Sequence, residues 1–272
     1  MRDVAIVGAG KIGSMIADWL VQSGDYRVTV VDHSADQLSR LKTSHVVERL
    51  LIDVADPTNL ETALEGRFAV LSAAPFPVTG KVAEAAARAG VHYLDLTEDV
   101  AITRQVKTLA AGAKTAFIPQ CGLAPGFISF VANDLAQRFD TLHEVRMRVG
   151  ALPQFPTNSL NYNLTWSTEG VINEYIEPCE AIADGELVTV PALEGREEFS
   201  LDGVRYEAFN TSGGIGSLQE TLKGRVKHLN YKSIRYPGHA AIMKTLLHDL
   251  RLRERRDVLK DILEHAVPTT LQ

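Results

Sequence analysis

Residues 4–13 read Val-Ala-Ile-Val-Gly-Ala-Gly-Lys-Ile-Gly, an apolar run that leads into a glycine pattern of the form GxGxxG. In this pattern Gly8 permits a tight turn, Gly10 lets a phosphate approach the backbone, and Gly13 lets a helix pack closely on a strand. A helix that begins here would offer free N–H groups and a positive dipole end to phosphates. The stretch therefore predicts the strand, turn and helix of a dinucleotide-binding fold.

A carboxylate follows the second predicted strand. Asp32 lies 19 residues after Gly13, where it could accept both ribose hydroxyls of an adenosine. A histidine and a serine follow it, and neither is the arginine that would meet a 2′-phosphate, which the carboxylate itself would repel. These residues favour NAD(H) over NADP(H) as the cofactor, and Lys11 and Ile12 at the predicted helix start are further candidates for cofactor binding.

Further cofactor contacts are expected where the next strands end. Asp53, after the third predicted strand, could reach the adenine end of the dinucleotide or cap the following helix. Ala73, Ala74 and Pro75 follow the fourth strand, and the nicotinamide of such a fold lies beyond the carboxyl ends of the strands.

Short apolar runs alternate with amphipathic segments of helical spacing from residue 3 to about residue 138. This alternation predicts βαβ units and an α/β fold with a doubly wound parallel Rossmann sheet. The predicted strands are 3–7, 27–31, 46–52, 68–73, 92–96 and 115–119. The predicted helices are 11–22, 35–41, 59–65, 81–88 and 100–109.

The pattern changes after Ala124. Residues 125–138 predict a helix with proline in its first turn, and residues 144–149 alternate polar and apolar side chains as an antiparallel strand with one wet face does. Two loop regions and a helical tail complete the prediction, at 153–170, 191–217 and 238–264.

Two domains are therefore expected. Residues 1–124 would bind the dinucleotide, and residues 125–272 would form a second α/β domain, with a mixed or antiparallel sheet, for substrate binding and oligomerisation.

Composition excludes several classes of protein. The 272 residues carry 28 Lys and Arg against 34 Asp and Glu, a net charge of −6, which argues against binding to nucleic acid. Two cysteines without a CxxC pattern indicate a reducing compartment and no structural zinc, so no metal site is expected. The chain has neither a secretory h-region at its start nor a long apolar run for a membrane span, and we expect a cytoplasmic protein.

Titratable side chains are expected where strands five and six end. Asp95 and Glu98 could bind a cationic amine or take its proton, although Glu98 could also simply begin the next helix. Cys121 lies near a predicted helix start, which should lower the pKa of its thiol. A catalytic role for Cys121 and a role as a small packing residue beside the nicotinamide both remain open.

Seven stretches resemble the saccharopine dehydrogenase-like family, most closely its lysine 6-dehydrogenase branch. The resemblance implies oxidative deamination of the ε-amine of L-lysine with NAD, which gives 2-aminoadipate 6-semialdehyde that cyclises to piperideine-6-carboxylate. It also implies a second α/β domain that holds the substrate and makes an oligomer contact. The stretches are 7–13 (VGAGKIG), 93–98 (YLDLTE), 120–127 (QCGLAPGF), 164–170 (LTWSTEG), 173–179 (NEYIEPC), 211–216 (TSGGIG) and 235–239 (RYPGH).

The chemistry of that reaction requires a base. Hydride leaves a carbon that bears nitrogen only when the nitrogen is unprotonated, and the reference pKa of a lysine ammonium is near 10.4. Asp95, Glu98 and His239 are the candidates, in that order. A capping or structural role for His239 is an equal alternative.

Substrate contacts are expected from the second half of the chain. Arg235, Arg146 or Arg148 could hold the substrate carboxylate as a bidentate fork. The aliphatic stem of the substrate could lie against Trp166, Tyr162 and Tyr175, or these rings could belong to the core.

Family members continue well beyond the segment that resembles residues 266–272. A second domain cut short there would expose a sheet edge, so we expect a homo-oligomer, at least a dimer, and weak or absent lysine turnover with cofactor binding retained.

Two other functions stay open. One is the reductive C–N bond formation of saccharopine or carboxynorspermidine synthesis. The other is a catalytically silent NAD-binding sensor or scaffold. A substrate panel read by NADH formation separates these possibilities.

Overall fold

The computed structural model describes residues 1–54 and 56–269, and the chain divides into two compact units, Met1–Gly122 and Leu123–Gln272. The division falls two residues before the predicted domain boundary. The end of the predicted second domain, residues 270–272, lies outside the described residues, as does Ala55.

The first unit is built from alternating strands and helices. The strands are β1 (Arg2–Val7), β2 (Tyr26–Asp32), β3 (Glu48–Leu51), β4 (Ala69–Ser72), β5 (His92–Asp95) and β6 (Phe117–Ile118). The helices are α1 (Lys11–Gln22), α2 (Ala35–Arg40), α3 (Pro57–Leu64), α4 (Phe76–Ala89) and α5 (Val100–Ala110). All strand pairs are parallel, in the order β3-β2-β1-β4-β5-β6, which confirms the predicted doubly wound sheet.

The apolar runs form this sheet because they are buried on both faces. In β1, Ala5 and Val7 belong to one core cluster, while Ile6 belongs to the cluster on the opposite face. Gly13 and Ala17 are the buried residues of α1, and their small side chains let this helix approach the sheet closely.

The second unit begins with a helix and a strand, α6 (Phe127–Ala136) and β7 (Leu142–Val149). The elements that follow are α7 (Thr168–Ile176), β8 (Cys179–Ala183), β9 (Glu186–Val190), β10 (Glu197–Leu201), β11 (Val204–Asn210), α8 (Leu218–Leu222), β12 (Val226–Arg235), α9 (His239–Lys244) and α10 (Arg256–Ala266). Its sheet has the order β10-β11-β12-β8-β9, and β7 pairs with β12 as well. This agrees with the predicted mixed sheet.

The predicted pairing of β7 is wrong. The strand runs parallel to β12, with Leu142 opposite Val226 and Val149 opposite Ser233. Its alternating pattern indicates one exposed face, and it carries no information about the direction of the partner strand. The remaining pairs of this sheet are antiparallel.

Two segments predicted as loops contain regular structure. The 191–217 region holds the β10–β11 hairpin, whose Asp202-Gly203 turn has φ of 50° and 79° at the two residues, as a type I′ turn requires. The 153–170 region includes the start of α7. The glycine-rich stretch 213–216 is a turn, as predicted.

Two predicted helices have different boundaries. Pro125 lies before the first turn of α6, because Gly126 is the N-cap with a φ of 137°. The predicted tail helix is interrupted after α9 by a π-helical turn, by Arg251 with a φ of 55°, and by a short 3₁₀ turn before α10.

We predict that Gly13→Ala destabilises the first unit by about 1–3 kcal/mol. A Cβ at Gly13 would lie 1.9 Å from the carbonyl oxygen of Gly8, which is backbone and cannot move aside. Urea denaturation measures the effect. Gly112→Ala is the matched control, since nothing lies within 4 Å of a Cβ there. Equal stabilities of the two variants would contradict the prediction.

Candidate active site

In the glycine loop after β1, two glycines are in close contact with neighbouring backbone and a third is not. Gly8 has a φ of 111°, and a Cβ there would lie 2.8 Å from the Ala73 carbonyl oxygen. A Cβ at Gly13 would lie still closer to backbone, 1.9 Å from the Gly8 carbonyl oxygen. At Gly10, by contrast, a Cβ would meet nothing within 4 Å. Gly10 is therefore not needed for packing, and it leaves room at the start of α1.

The start of α1 suits an anion. Its N-cap is Gly10, with no side-chain hydrogen bond, and its first turn contains no acidic residue. The first N–H groups of a helix have no intrahelical acceptors. Together with the helix dipole they form the arrangement that binds phosphates. The residues present thus fit a dinucleotide pyrophosphate.

Asp32 is fixed beside this loop. Its Oδ2 accepts a hydrogen bond of 2.7 Å from the Ala9 N–H, and its Oδ1 accepts one of 2.8 Å from the Ser34 N–H. The neighbouring His33 holds its Nδ1 3.3 Å from Oδ1. The carboxylate therefore stands at the end of β2 in a set orientation, next to the loop that would carry the phosphates.

The expected residues after β4 are also beside the glycine loop. The Ala73 N–H donates to the Val7 carbonyl at 2.8 Å, and the Ala73 Cβ would be 3.4 Å from a Cβ at Gly13. Ala74 follows at the same turn, and Pro75 is the N-cap of α4.

Asp53 does not cap the next helix. The cap of α3 is Asp56, whose Oδ1 accepts from the Thr58 N–H at 3.0 Å. The side chain of Asp53 is exposed at the end of β3, so contact with the adenine end of a dinucleotide stays a prediction.

Asp95 is fully buried and accepts three hydrogen bonds. Its Oδ2 accepts from the Tyr93 hydroxyl at 2.9 Å, while Oδ1 accepts from the N–H groups of Thr97 at 3.0 Å and Gln120 at 2.9 Å. Burial raises the pKa of this carboxyl, and the hydrogen bonds oppose that change. Its geometry is that of a group that holds the loop after β6 against the end of β5.

Glu98 has a different environment three residues later. It is partly buried, and burial raises the pKa of its carboxyl to about 7, with the charges of Asp99 and Asp95 acting in the same direction. A carboxyl with this pKa exchanges a proton near neutral pH. Glu98 follows β5 at the carboxyl edge of the sheet, the edge that also carries the glycine loop.

The predicted pKa of Cys121 is wrong in direction. Burial, followed by the charge of Asp95, raises the pKa of the thiol. The nearest helix start, Phe127 of α6, is six residues away in sequence, and the thiol instead donates to the Ile118 carbonyl at 3.2 Å. Cys121 is therefore a neutral thiol, and a packing contact with a nicotinamide remains the prediction for it.

In the second unit, Tyr175 joins Arg235 and His239. The Tyr175 hydroxyl accepts from Arg235 Nε at 2.9 Å and lies 3.0 Å from His239 Nε2. The Arg235 guanidinium stands over the Tyr162 ring at 4.6 Å. Trp166 Nε1 donates to the Tyr162 hydroxyl at 3.0 Å, so the predicted substrate residues do form one cluster.

The ring of His239 is buried and hydrogen-bonded on both sides. Its Nδ1 lies 2.8 Å from the Leu160 carbonyl oxygen. Burial, with the nearby charge of Arg235, lowers the pKa of the imidazole to about 3. The ring is thus neutral at physiological pH, and with both nitrogens engaged it is a poor proton acceptor.

Sequence reasoning missed two groups that shape these sites. Tyr93 supports Asp95, and the two alternate positions on β5 place both side chains on one face. Glu207, buried on β11, accepts from the Ala240 N–H at 2.7 Å at the start of α9. The contact of Tyr93 with Asp95 could have been predicted from the two-residue period of a strand, whereas no sequence pattern indicates the contact of Glu207.

The described residues hold neither a metal-binding cluster nor a membrane-spanning helix. Residues 1–54 and 56–269 contain no group of three or more His, Cys, Asp or Glu side chains that could hold a metal ion. No helix in the same part of the chain is long and apolar enough to cross a membrane.

Two family models match consecutive parts of the chain. The Saccharopine dehydrogenase NADP binding domain matches residues 4–118, and the Saccharopine dehydrogenase C-terminal domain matches residues 122–269. The first match confirms the predicted pyridine-nucleotide-binding domain, and the two together confirm the family resemblance.

Curated relatives are distant and longer. Mitochondrial alpha-aminoadipic semialdehyde synthase of Mus musculus is 20% identical over 256 residues, which are 85% of this chain and 27% of the relative. Saccharopine dehydrogenase (NADP(+), L-glutamate-forming) of Saccharomyces cerevisiae is 22% identical over 201 residues, 70% of this chain and 44% of the relative. The chain thus spans less than half the length of these relatives.

Solved structures share the fold. Apo saccharopine dehydrogenase (L-Glu forming) from Saccharomyces cerevisiae has a TM-score of 0.73 at 20% identity, covering 91% of this chain and 58% of that one. Homospermidine synthase from Legionella pneumophila, in complex with NAD, has a TM-score of 0.62 at 14% identity, covering 92% and 69%.

We predict that Gly10→Ala weakens dinucleotide binding and leaves stability unchanged. The new methyl group meets no protein atom, but it occupies the room that a phosphate needs at the start of α1. Loss of one charge-assisted hydrogen bond would raise the Kd for NAD about tenfold or more. Titration by fluorescence measures this Kd, with Gly112→Ala as the control. A wild-type Kd in Gly10→Ala would contradict the assignment.

Proposed function

The chain belongs to the saccharopine dehydrogenase family, and from that premise we propose that it is a pyridine-nucleotide-dependent oxidoreductase acting on a carbon–nitrogen bond of an amino acid. The reaction we favour is oxidative deamination of the ε-amine of L-lysine with NAD. The observation that carries the proposal is Glu98: a carboxyl with a pKa of about 7 that follows β5 at the sheet edge of the glycine loop.

The cofactor is held by the first unit. The start of α1 binds the pyrophosphate, and Asp32 accepts the ribose hydroxyls of the adenosine. The negative charge of Asp32 favours NAD over its 2′-phosphorylated counterpart. When bound, the oxidised nicotinamide supplies the hydride acceptor of the reaction.

Glu98 prepares the substrate nitrogen. An alkyl ammonium holds its proton up to a pH near 10.4, so the site must remove it before hydride can leave the adjacent carbon. The ionised carboxylate of Glu98 takes one ammonium proton, and the freed lone pair stabilises the cation that forms at that carbon. A pKa near neutrality suits this transfer better than the ordinary value of a glutamate.

The overall reaction then balances. The ε-carbon loses a hydride to the cofactor and becomes a protonated imine. Water adds to the imine carbon, and the carbon–nitrogen bond breaks to release ammonium and leave the aldehyde, 2-aminoadipate 6-semialdehyde, which cyclises. One dinucleotide is reduced for each lysine consumed.

Asp95 and His239 serve as positioning residues in this proposal. Both oxygens of Asp95 accept hydrogen bonds, from Tyr93, Thr97 and Gln120, so it holds the loop after β6 and the backbone around Cys121. His239, neutral and hydrogen-bonded on both sides, orients Tyr175.

The substrate carboxylate is assigned to Arg235. This buried cation donates to the Tyr175 hydroxyl and to the Ile234 carbonyl, which are neutral acceptors, and the charge of the buried Glu174 also acts on it. A buried guanidinium favours anionic partners. Tyr162 and Trp166, linked by their own hydrogen bond, would then contact the aliphatic stem of the substrate.

Reductive C–N bond formation is the second candidate, because the relatives and structures reported above include saccharopine dehydrogenase and homospermidine synthase. In that direction the protonated Glu98 would return a proton to the product amine. A panel of L-lysine, saccharopine and a simple diamine with NAD separates the two. NADH formed from L-lysine supports deamination; NADH formed from saccharopine alone supports the second candidate. NAD binding without turnover of L-lysine or saccharopine would favour the hypothesis of a catalytically silent sensor or scaffold.

Two further expectations stay predictions. We propose a homo-oligomer, at least a dimer, and a cytoplasmic location. Sedimentation of the purified chain tests the first, and a stable monomer at all concentrations would contradict it.

We predict that Glu98→Gln lowers kcat by about a hundredfold or more, the usual contribution of a general base. Only the ionised carboxylate takes a proton, so the activity of the wild type should rise as the pH increases through about 7. This rise should be absent in the variant. The Kd for NAD should not change.

Asp99→Asn is the matched control. Asp99 caps α5 through the Ile102 N–H at 2.8 Å, and asparagine is as good an N-cap, so stability should change little. The rise of activity with pH should remain, shifted to lower pH because the charge of Asp99 raises the pKa of Glu98. A pH profile that is the same in wild type and Glu98→Gln would show that Glu98 is not the base.

A further inference from the structure

The strand β7 lies at an edge of the second sheet. In the part of the chain that the structure describes, β7 pairs with β12 alone. This pairing extends from Leu142 to Val149, so the N–H and C=O groups that point away from β12 line a free edge on a strand of eight residues. A long free edge is a template for the pairing of another strand.

A groove follows this free edge. Its volume is about 720 Å³, and every residue from Thr141 to Arg148 lines it. Successive side chains of a strand point to opposite faces of the sheet, so a groove that meets all of them must run along the edge of β7. The opposite wall of the groove is formed by α6 and the turn that follows it.

The helical wall of the groove is apolar and exposed. Val131, Leu135 and Phe139 line the groove, and their spacing of four residues places them on one side of the helix and of the turn that extends it. Their exposed fractions are 40%, 48% and 62%. An exposed apolar patch of this kind marks a contact with another protein surface. Beside a free strand edge, it fits an added β-strand that pairs with β7 and places alternate side chains against the helix.

The charges on β7 indicate which strand this is. Glu144 and Arg146 lie on the same face of the strand and form an ion pair of 2.6 Å. If a second β7 pairs antiparallel about a two-fold axis at Val145, Glu144 of each copy lies opposite Arg146 of the other, and opposite charges across strands stabilise a sheet. A shift of the axis to Glu144 or to Arg146 would instead place identical charges opposite each other. The strand is therefore complementary to itself in one register.

The same register suits the apolar side of the strand. Val145 and Met147 lie on the face of β7 that packs with the apolar cluster to which α6 and α8 contribute. Directly opposite residues of an antiparallel pair share one face of the sheet. The Val145 side chains of two copies would therefore meet on the helix side of the sheet, where each copy exposes its apolar groove wall.

We infer that two copies of this chain associate through their β7 strands, which pair antiparallel about a two-fold axis at Val145. Each copy then covers the exposed groove wall of the other. Such an interface uses the same surface on both copies, as closed two-fold dimers do. This inference rests on the homo-oligomer proposed above and names the surface that forms it. The association requires neither a dinucleotide nor a substrate, so it can be measured apart from the reaction.

The first test reverses the charges and measures the dimer Kd by sedimentation. Glu144→Arg and Arg146→Glu each place like charges opposite each other twice in the dimer, and each should raise the dimer Kd about tenfold or more. The double variant Glu144→Arg/Arg146→Glu restores opposite charges, and its Kd should return to within about threefold of the wild-type value. Recovery in the double variant shows that the single variants act through the contact between copies.

Glu198→Arg is the matched control. Glu198 lies on β10, at an end of the strand order of the same sheet, and it also forms an ion pair of 2.6 Å with an arginine, Arg196. The substitution makes the same change of charge at a distance from β7 in the strand order. The dimer Kd should stay at its wild-type value.

The second test determines the register by disulfide formation. The Cα atoms of directly opposite residues in an antiparallel pair are about 4.5–5.5 Å apart, a separation that a disulfide can span. Val145→Cys should therefore form a covalent dimer on mild oxidation. In His143→Cys the two introduced thiols would be four residues out of register, about 13 Å apart, and this variant should not cross-link. Cys121 and Cys179 are present in both variants, so any cross-link through them would appear in both.

A wild-type chain that stays monomeric at all concentrations would overturn the inference, and this is also the result expected if the groove accepts a strand of another protein. A dimer that is unaffected by the single charge reversals, that the double variant does not restore, or that cross-links equally through His143→Cys would overturn it too, because another surface would then form the dimer. A dimer with the expected responses but no turnover of any substrate would support the inference and contradict the proposed function, so the two failures are distinct.

Discussion

The hydrogen bond from the Ala9 N–H to Asp32 Oδ2, 2.7 Å long, joins the glycine loop to the end of the second strand. It exists because Gly8 turns with a positive φ and Gly13 lets α1 approach the Gly8 carbonyl. The same constraint leaves Gly10 open and orients the carboxylate. In the proposed function, phosphate binding, ribose binding and the choice between cofactors all depend on this one connection.

In the proposed mechanism the two carboxyl groups at the carboxyl edge of the same sheet have different roles, and hydrogen bonding explains the difference. Asp95 is fully buried but receives three donors, which makes it a fixed structural acceptor. Glu98 is partly buried, and burial with two neighbouring negative charges raises its pKa to about 7. A proton acceptor must be able to change its charge, and the environment of Glu98 permits this.

Much of the first unit could be predicted from sequence because its strands are continuous apolar runs. The bounds of α1 are those predicted, and the strand order follows from right-handed crossovers. The second unit was harder to predict. The polar and apolar alternation in β7 does not indicate whether its partner strand is parallel, and the Asp202-Gly203 pair, which favours a hairpin turn, was not used. At the site, the sequence predicted the candidate residues, and their roles stay predictions. The raised pKa values of Glu98 and Cys121 could not be predicted, because they arise from burial that only the folded chain creates.

The central claim is that hydride leaves the ε-carbon of an amine once Glu98 has taken the proton. L-lysine deuterated only at the ε-carbon tests it directly, with NAD as oxidant and mass spectrometry of the reduced dinucleotide. The account predicts one deuterium in each NADH formed. Unlabelled NADH from this substrate, or label transferred only from lysine deuterated at the α-carbon, would contradict it.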